Sequence, residues 1–369
     1  MKLKEKLSCY WNMMQENLFP WLEGSLGTLS ERQQQLVTIL EFARIEEFVL
    51  SGSGGAGRPE ASREAMARAL IAKAVYNFPT TSHLIDRLCC DKVLRQLCGW
   101  ERISDVPSES TFSRAFAEFS ESQLSERVHE ALIQNYQSER LIGHISRDST
   151  AIEARETAVK KEKISEAAEK EPKKRGRPKG GEAPNPKEPT RLEKQVSMTL
   201  KEMLDDLPKC CDTGTKKDSK GYKVSWKGYK LHIDTADGMI PISAVLTSAS
   251  MHDSQAAIPL ALMTHDRVIN FYDLMDSAYD AKIIREHSQS LGHVPLIDFN
   301  HRSPNDNREF LPHEAQRYKE RSGAERVNSR LKDEFGGLTV RVKGHLKVMS
   351  HLMFGLIALT VDQMVRLVT

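Results

Sequence analysis

The sequence is short of the features that commit a chain to several common classes. Its six cysteines, Cys9, Cys89, Cys90, Cys98, Cys210 and Cys211, include two adjacent pairs but no Cys-x-x-Cys. That fits neither a disulfide framework nor a zinc site, and they read as reduced thiols. No apolar run approaches the roughly 20 residues a bilayer demands; near the C-terminus, residues 352–360 are broken by Gly355 and followed by Asp362. The start, Met1-Lys-Leu-Lys-Glu-Lys, leads into neither a continuous apolar core nor a small-residue cleavage site, so the expectation is a cytoplasmic protein without a membrane span. There is no Gly-x-x-x-x-Gly-Lys-Ser/Thr loop to cradle ATP and no Gly-x-Ser-x-Gly turn for a Ser-His-Asp hydrolase, and the 12 histidines lack metal-ligand spacing. Neither sign of charge dominates: 53 Lys+Arg against 51 Asp+Glu leave a net +2, so local blocks of charge matter more than the sum. What is present, 369 residues of which 39% are apolar and 28% charged, suits two or three globular domains with a sizeable core.

The first 140 residues carry helical punctuation. Ser30 with Gln33 makes a capping-box pattern before Leu36, Val37, Leu40 and Phe42. Glycine and serine at 51–57 predict a loop, and helices are expected over 62–76, 82–97 and 122–137. Residues 106–116 predict a short capped helix after a turn, a helix-turn-helix arrangement offering Ser110, Thr111, Ser113 and Arg114 to DNA; plain packing or dimerisation is the other reading.

After residue 140 the pattern changes. A strand over 141–149 ends in Arg147-Asp148-Ser149-Thr150, followed by a polar stretch, 153–212, too long and too polar for an ordinary connection, which reads as an insertion or tether. Alternation then predicts a hairpin from Val224 to Leu246 about Asp237-Gly238, a helix over 255–263, a strand over 268–275 stopping at Asp276, a helix over 281–290, a strand over 294–299, and a long helix from near Ala315. A final helix, 345–368, is apolar on much of its surface, for core packing or a dimer contact. The order describes an α/β mixed sheet with helices against it, behind an all-helical segment. The expected boundaries are a helical domain at 1–140 for DNA binding or dimerisation, and a second domain at 141–369 interrupted by a basic, partly flexible insertion at 153–220.

Asp148 and Asp276 each follow an apolar strand, where layered α/β folds present functional side chains, although turn forming and capping are everyday roles for such an acid. On the helix beyond Ala315, at about 100° per residue, Tyr318, Arg321 and Lys332 fall within about 40° of Glu325, while Ala324, Val327, Leu331 and Phe335 occupy a separate arc. One face can bury while the other presents an acid flanked by two cations and a phenol; an ordinary i,i+4 ion pair between Arg321 and Glu325 is the alternative. Gly323 within this helix marks an expected close approach.

The spacing Tyr318-x2-Arg321-x3-Glu325-x6-Lys332 resembles the Y-R-E-K signature of insertion-sequence DDE transposases, whose catalytic core is RNase H-like. Arg-Asp148-Ser-Thr resembles that family's first-aspartate motif and Met-Asp276-Ser-Ala-Tyr-Asp280 its second, with Ala278 where glycine is common. The motifs stand in the family's order over about 141–365; Asp253 in Met-His-Asp-Ser is a minor competitor for the second position. The resemblance implies catalytic acids Asp148, Asp276 and Glu325 holding two Mg²⁺ ions, with Mn²⁺ as a substitute. All-oxygen donors suit such hard cations better than zinc. It implies that Asp148 bridges the ions, that Arg321 and Lys332 contact phosphates, and that Tyr318 bonds a phosphate or stacks on a base. The implied partners are double-stranded DNA, as terminal inverted repeats and target, and a second copy of the chain assembled on that DNA. A metal-dependent nuclease and a catalytically silent DNA-binding regulator are the alternatives.

Lys173-Lys-Arg-Gly-Arg-Pro-Lys179 places five cations in seven residues. Its Arg175-Gly-Arg177-Pro core resembles an AT-hook, which lays two arginines into a narrow minor groove; a solvated tether is the alternative. Residues 300–302 and Arg341, Lys343 and Lys347 add positive charge that could steer DNA toward the acids. Trp100 and Trp226 read as core.

Overall fold

Ser30 and Gln33 form the reciprocal cap their spacing promises: the serine hydroxyl accepts from the Gln33 amide, and the glutamine carbonyl accepts from Ser30 N. In the computed structural model, which describes residues 3–50, 61–159, 188–217, 220–301 and 308–368, that cap opens α3 (Glu31–Ala43). Before it lie α1 (Leu3–Met13) and, after a π turn, α2 (Phe19–Leu26). After it come α4 (Arg63–Val75), α5 (Thr81–Cys90), α6 (Lys92–Cys98), α7 (Glu109–Glu121) and α8 (Leu124–Gln137). The single helix expected over 82–97 is two. Asp91 leaves the helical backbone and its carboxylate accepts from Leu94 N at 2.9 Å, which ends α5 and caps α6. The loop expected at 51–57 lies outside the described residues.

The second half supplies β1 (Leu141–Glu153), α9 (Arg191–Gln195), α10 (Leu200–Asp206), β2 (Asp212–Lys217), β3 (Lys223–Ala236), β4 (Ile240–Ser248), α11 (Ala257–His265), β5 (Ile269–Met275), α12 (Lys282–Ser290), β6 (Val294–Ile297), α13 (Pro312–Tyr318), α14 (Ser322–Glu334) and α15 (His345–Arg366). β3 is the long spine: β1 runs antiparallel to it on one side, β4 pairs with its C-terminal half and β2 with its N-terminal half. β1, β5 and β6 then run parallel. The order β4-β3-β1-β5-β6 is the RNase H-like mixed sheet.

β1 passes its expected end at Ser149 and continues to Glu153, because β3 is long enough to pair with it as far as Gly228. The stretch expected as tether also contains ordered structure. Thr190 and Thr199 open α9 and α10 with capping boxes to Glu193 and Glu202, Leu204 and Leu207 pack against Leu260 and Met263 of α11, and β2 joins the sheet. Residues 160–187, with Arg175 and Arg177, lie outside the described residues.

α15 joins everything else. Long and apolar enough to cross a bilayer by length and composition, it has 78% of its most apolar stretch buried inside the fold, against α3, α4, α7 and α8 on the helical side and β4 on the sheet side. One apolar cluster runs from Leu7 through Ile133 to Ile233 and Met364. The close approach expected at Gly323 is absent, since a Cβ there would meet Met239 at an ordinary 3.5 Å. A close approach to α14 is made instead at Gly355 of α15, where a Cβ would stand 2.5 Å from the Phe335 carbonyl oxygen. Gly355→Ala must therefore push α14 off α15, with an expected loss of about 1–3 kcal/mol in urea unfolding; stability equal to the parent would show that the two helices do not need that contact.

Candidate active site

Alternation along β1 sends neighbouring side chains to opposite faces. Arg147 turns to the α11 face, fully buried, and donates Nε and Nη2 to the two oxygens of Asp234 at 2.8 and 2.7 Å, while Thr264 Oγ1 donates to the same carboxylate. Asp148 turns to the α14 face, where Asn328 Nδ2 donates to its Oδ2 at 2.9 Å. Asp148 is thus inside β1, paired with Ile233, rather than at a strand end. Asp276 does follow its strand directly, and its Oδ1 accepts from Ala278 N. The register brings these two acids together. Arg147 lies level with Met275, so Asp148 and Asp276 stand one step further on, on neighbouring strands that run about 4.8 Å apart. Asp298 follows Ile297, which is level with Met275 on β6, and adds a third acid in line.

α14 brings Glu325 over this row. Its apolar face is the expected one, with Ala324, Val327, Leu331 and Phe335 all buried. The long helix begins at Pro312 rather than near Ala315, and a 3₁₀ turn at Lys319–Arg321 interrupts it. From that turn Arg321, 19% exposed, reaches Glu325 Oε1 at 2.6 Å and Asp148 Oδ1 at 3.8 Å. One guanidinium therefore bridges two of the acids. It does not balance them: burial pushes the Asp148 carboxyl up to about 6 against the pull of Arg321, with Asp276 and Glu325 adding to the rise. Asp276 is also raised, first by burial, with Asp253 and Asp298 contributing. Asp253 differs. Burial acts on it too, but His232 and Lys230, the latter at 2.9 Å, hold it below the usual carboxylate range.

The flanks follow the same helix. Tyr318 packs its ring 4.9 Å from Phe310, and burial lifts its hydroxyl to about 12. Lys332 is half-buried, its ammonium lowered by burial and by neighbouring Lys216 of β2. Behind Asp276, Asp280 accepts from Arg285, Arg308 and the Asn300 amide, which fixes the loop. Among the described residues no three His, Cys, Asp or Glu side chains already close round an ion. Three residues of this neighbourhood escape a reading from sequence. Asn328 falls about 60° from Glu325 on the helical wheel and could have been found by that signal; Lys230 and Asp298 carry none.

Residues 139–361, well over half of the chain, match the family model described as Transposase DDE domain. The chain belongs to the insertion-sequence DDE transposases. In this transposase the matched region opens just before β1 and ends within α15, so it contains all of Asp148, Asp276 and Glu325. Residues 26–118, from the end of α2 into α7, match a second model described as Transposase domain (DUF772). No curated protein and no solved structure matched the chain in the corresponding comparisons.

Proposed function

We propose that this transposase cuts DNA at the terminal inverted repeats of its insertion sequence and joins the freed ends to target DNA, with Asp148, Asp276 and Glu325 as the catalytic acids. The observation that carries this reading is the placement of the three acids: Asp148 and Asp276 stand side by side on neighbouring strands, one step beyond the level pair Arg147 and Met275, and Arg321 links Asp148 to Glu325 of α14. Burial leaves Asp148 and Asp276 raised there, short of positive charge, whereas Asp253 has its own lysine. That deficit and the all-oxygen donor set fit hard divalent cations, two Mg²⁺ or Mn²⁺, held by Asp148, Asp276 and Glu325. Bound there, the metal supplies activation of the attacking oxygen and stabilisation of the leaving one. The chain's own groups do the rest. Asn328 fixes the Asp148 carboxylate, Arg321 exchanges its carboxylate partners for a DNA phosphate, and Lys332 and Tyr318 hold the strand beside the cut. Water attacks the phosphorus, giving up a proton to solvent, and the bond to the 3′ oxygen breaks to leave a 3′-hydroxyl and a 5′-phosphate; that 3′-hydroxyl then loses its proton and attacks a target phosphodiester, forming a new P–O bond as the target strand's own 3′ oxygen leaves and takes up a proton. Arg175 and Arg177 grip the minor groove, two copies assemble on the DNA, and the protein works in the cytoplasm at the nucleoid.

The test is a strand-transfer assay with the full chain, Mg²⁺ and DNA carrying the element's ends. The expected result is end-specific nicking followed by joined product. Nicked product that never joins would make the protein a nuclease, and binding without any cutting would make it a regulator.

A further inference from the structure

A cleft of about 600 Å³ opens between α4 and α7 on one side and the loop before α15 on the other, along the seam between the two transposase-matched regions. Its walls are strongly basic. Lys73, Arg155, Arg341, Lys343 and Lys347 line it against a single acid, Glu109. None of the five cations has an ion pair or hydrogen bond to a side chain among the described residues. His351, which also lines the cleft, bonds the Gly336 carbonyl and is kept neutral by burial.

Lys73 is the informative member. It projects from the last turn of α4, is 8% exposed, and burial alone lowers its ammonium to about 8. A buried lysine without a counterion costs stability, yet the same cleft wall carries Leu70, Ala74, Phe78 and Phe112, beside which an apolar chain would be at home. A cation kept there at a cost implies an anion that arrives from outside. The position says which. Arg155 stands just past the end of β1, seven residues on from Asp148, so it is no more than about 23 Å from that acid at 3.3 Å per extended residue, within the reach of one duplex, seven base pairs at most at about 3.4 Å each. The exposed Ser113 of α7 adds a hydroxyl at the same wall.

We propose that this cleft is a second DNA-backbone site, in which Lys73 and the Arg341, Lys343 and Lys347 cluster seat phosphates of the duplex beyond the cutting point. The inference rests on the transposase reading above and specifies where the end of the element is held. Because the site contacts phosphates and not bases, it contributes affinity and register rather than sequence preference.

The test measures binding of the full chain to a duplex of about 30 base pairs across a salt series, with Tm in parallel. Lys73→Met should weaken binding about fivefold near 0.15 M salt and reduce the slope of log K against log salt by roughly 0.9, one phosphate contact. Its Tm should equal or exceed the parent's. Arg341→Gln with Lys343→Gln and Lys347→Gln should reduce the slope by roughly 2.7. Slopes unchanged in both variants, with the parent binding DNA, would overturn this site and leave the function reading intact. Lower Tm in Lys73→Met, with the triple variant binding as the parent does, would also overturn it by making Lys73 structural. Inorganic phosphate that raises the parent's Tm but not that of Lys73→Met, with DNA slopes unchanged, would assign the cleft to a small phosphorylated ligand instead. A parent that binds no DNA would sink the function reading itself.

Discussion

Glu325→Gln should reduce DNA cleavage by roughly a thousandfold or more, a loss of about 4 kcal/mol of transition-state stabilisation, while leaving fold and DNA binding nearly intact. Glu325 is exposed, and its contact in the structure is the Arg321 guanidinium, so glutamine keeps the volume and the helix while losing the charge a metal requires. Unfolding in urea should change by no more than about 0.5 kcal/mol, and binding should tighten slightly if it changes, because a negative charge near phosphates is removed. Single-turnover nicking of a plasmid bearing the element's ends is the measurement. Cutting at the parent's rate would remove Glu325 from the site and reopen the assignment of the third acid.

Asp234→Ala should cost about 3–5 kcal/mol of stability, the usual consequence of leaving one member of a buried ion pair without its partner. Arg147 and Asp234 are both fully buried and bonded through two parallel contacts. Replacing both at once, Arg147→Met with Asp234→Leu, should restore most of the loss, since the apolar pair carries no desolvation cost. Urea unfolding of the two variants decides the matter. A double variant as unstable as Asp234→Ala would show that the pair contributes more than mutual neutralisation, through Thr264 or through Met275, whose sulfur Arg147 also contacts.

What the sequence disclosed was largely local. The Ser30–Gln33 cap needs only residues three apart, and the buried arc Ala324, Val327, Leu331 and Phe335 follows from helical periodicity, so both were legible. Asp276 could be placed because an apolar run stops beside it. Asp148 was found by its motif, but its strand continues to Glu153 because a partner strand some 80 residues later is long enough to pair with it. The same distance hid the partner of Arg147, since Asp234 is 87 residues away. α9 and α10 were read as tether because so few apolar side chains hold them down; Leu204 and Leu207 suffice once α11 is there to receive them. Lys73 shows in the sequence only as a lone lysine in an apolar run, residues 69–75; nothing local says that Arg341, Lys343 and Lys347, far along the chain, line the same cleft.

The position of α15 bears on how such a chain can be dismantled or shared. Because α15 fills the space between the N-terminal bundle and β4, neither portion closes over its own interior until that helix has been made. Emerging from the ribosome, the bundle waits with an open apolar trough for more than 200 residues. A fragment cut at residue 140 would keep that trough permanently, and the remainder would carry the matching ridge with nothing to seat it. The two family segments are thus separable on paper and inseparable as matter, and any rearrangement that inherits one must inherit the other.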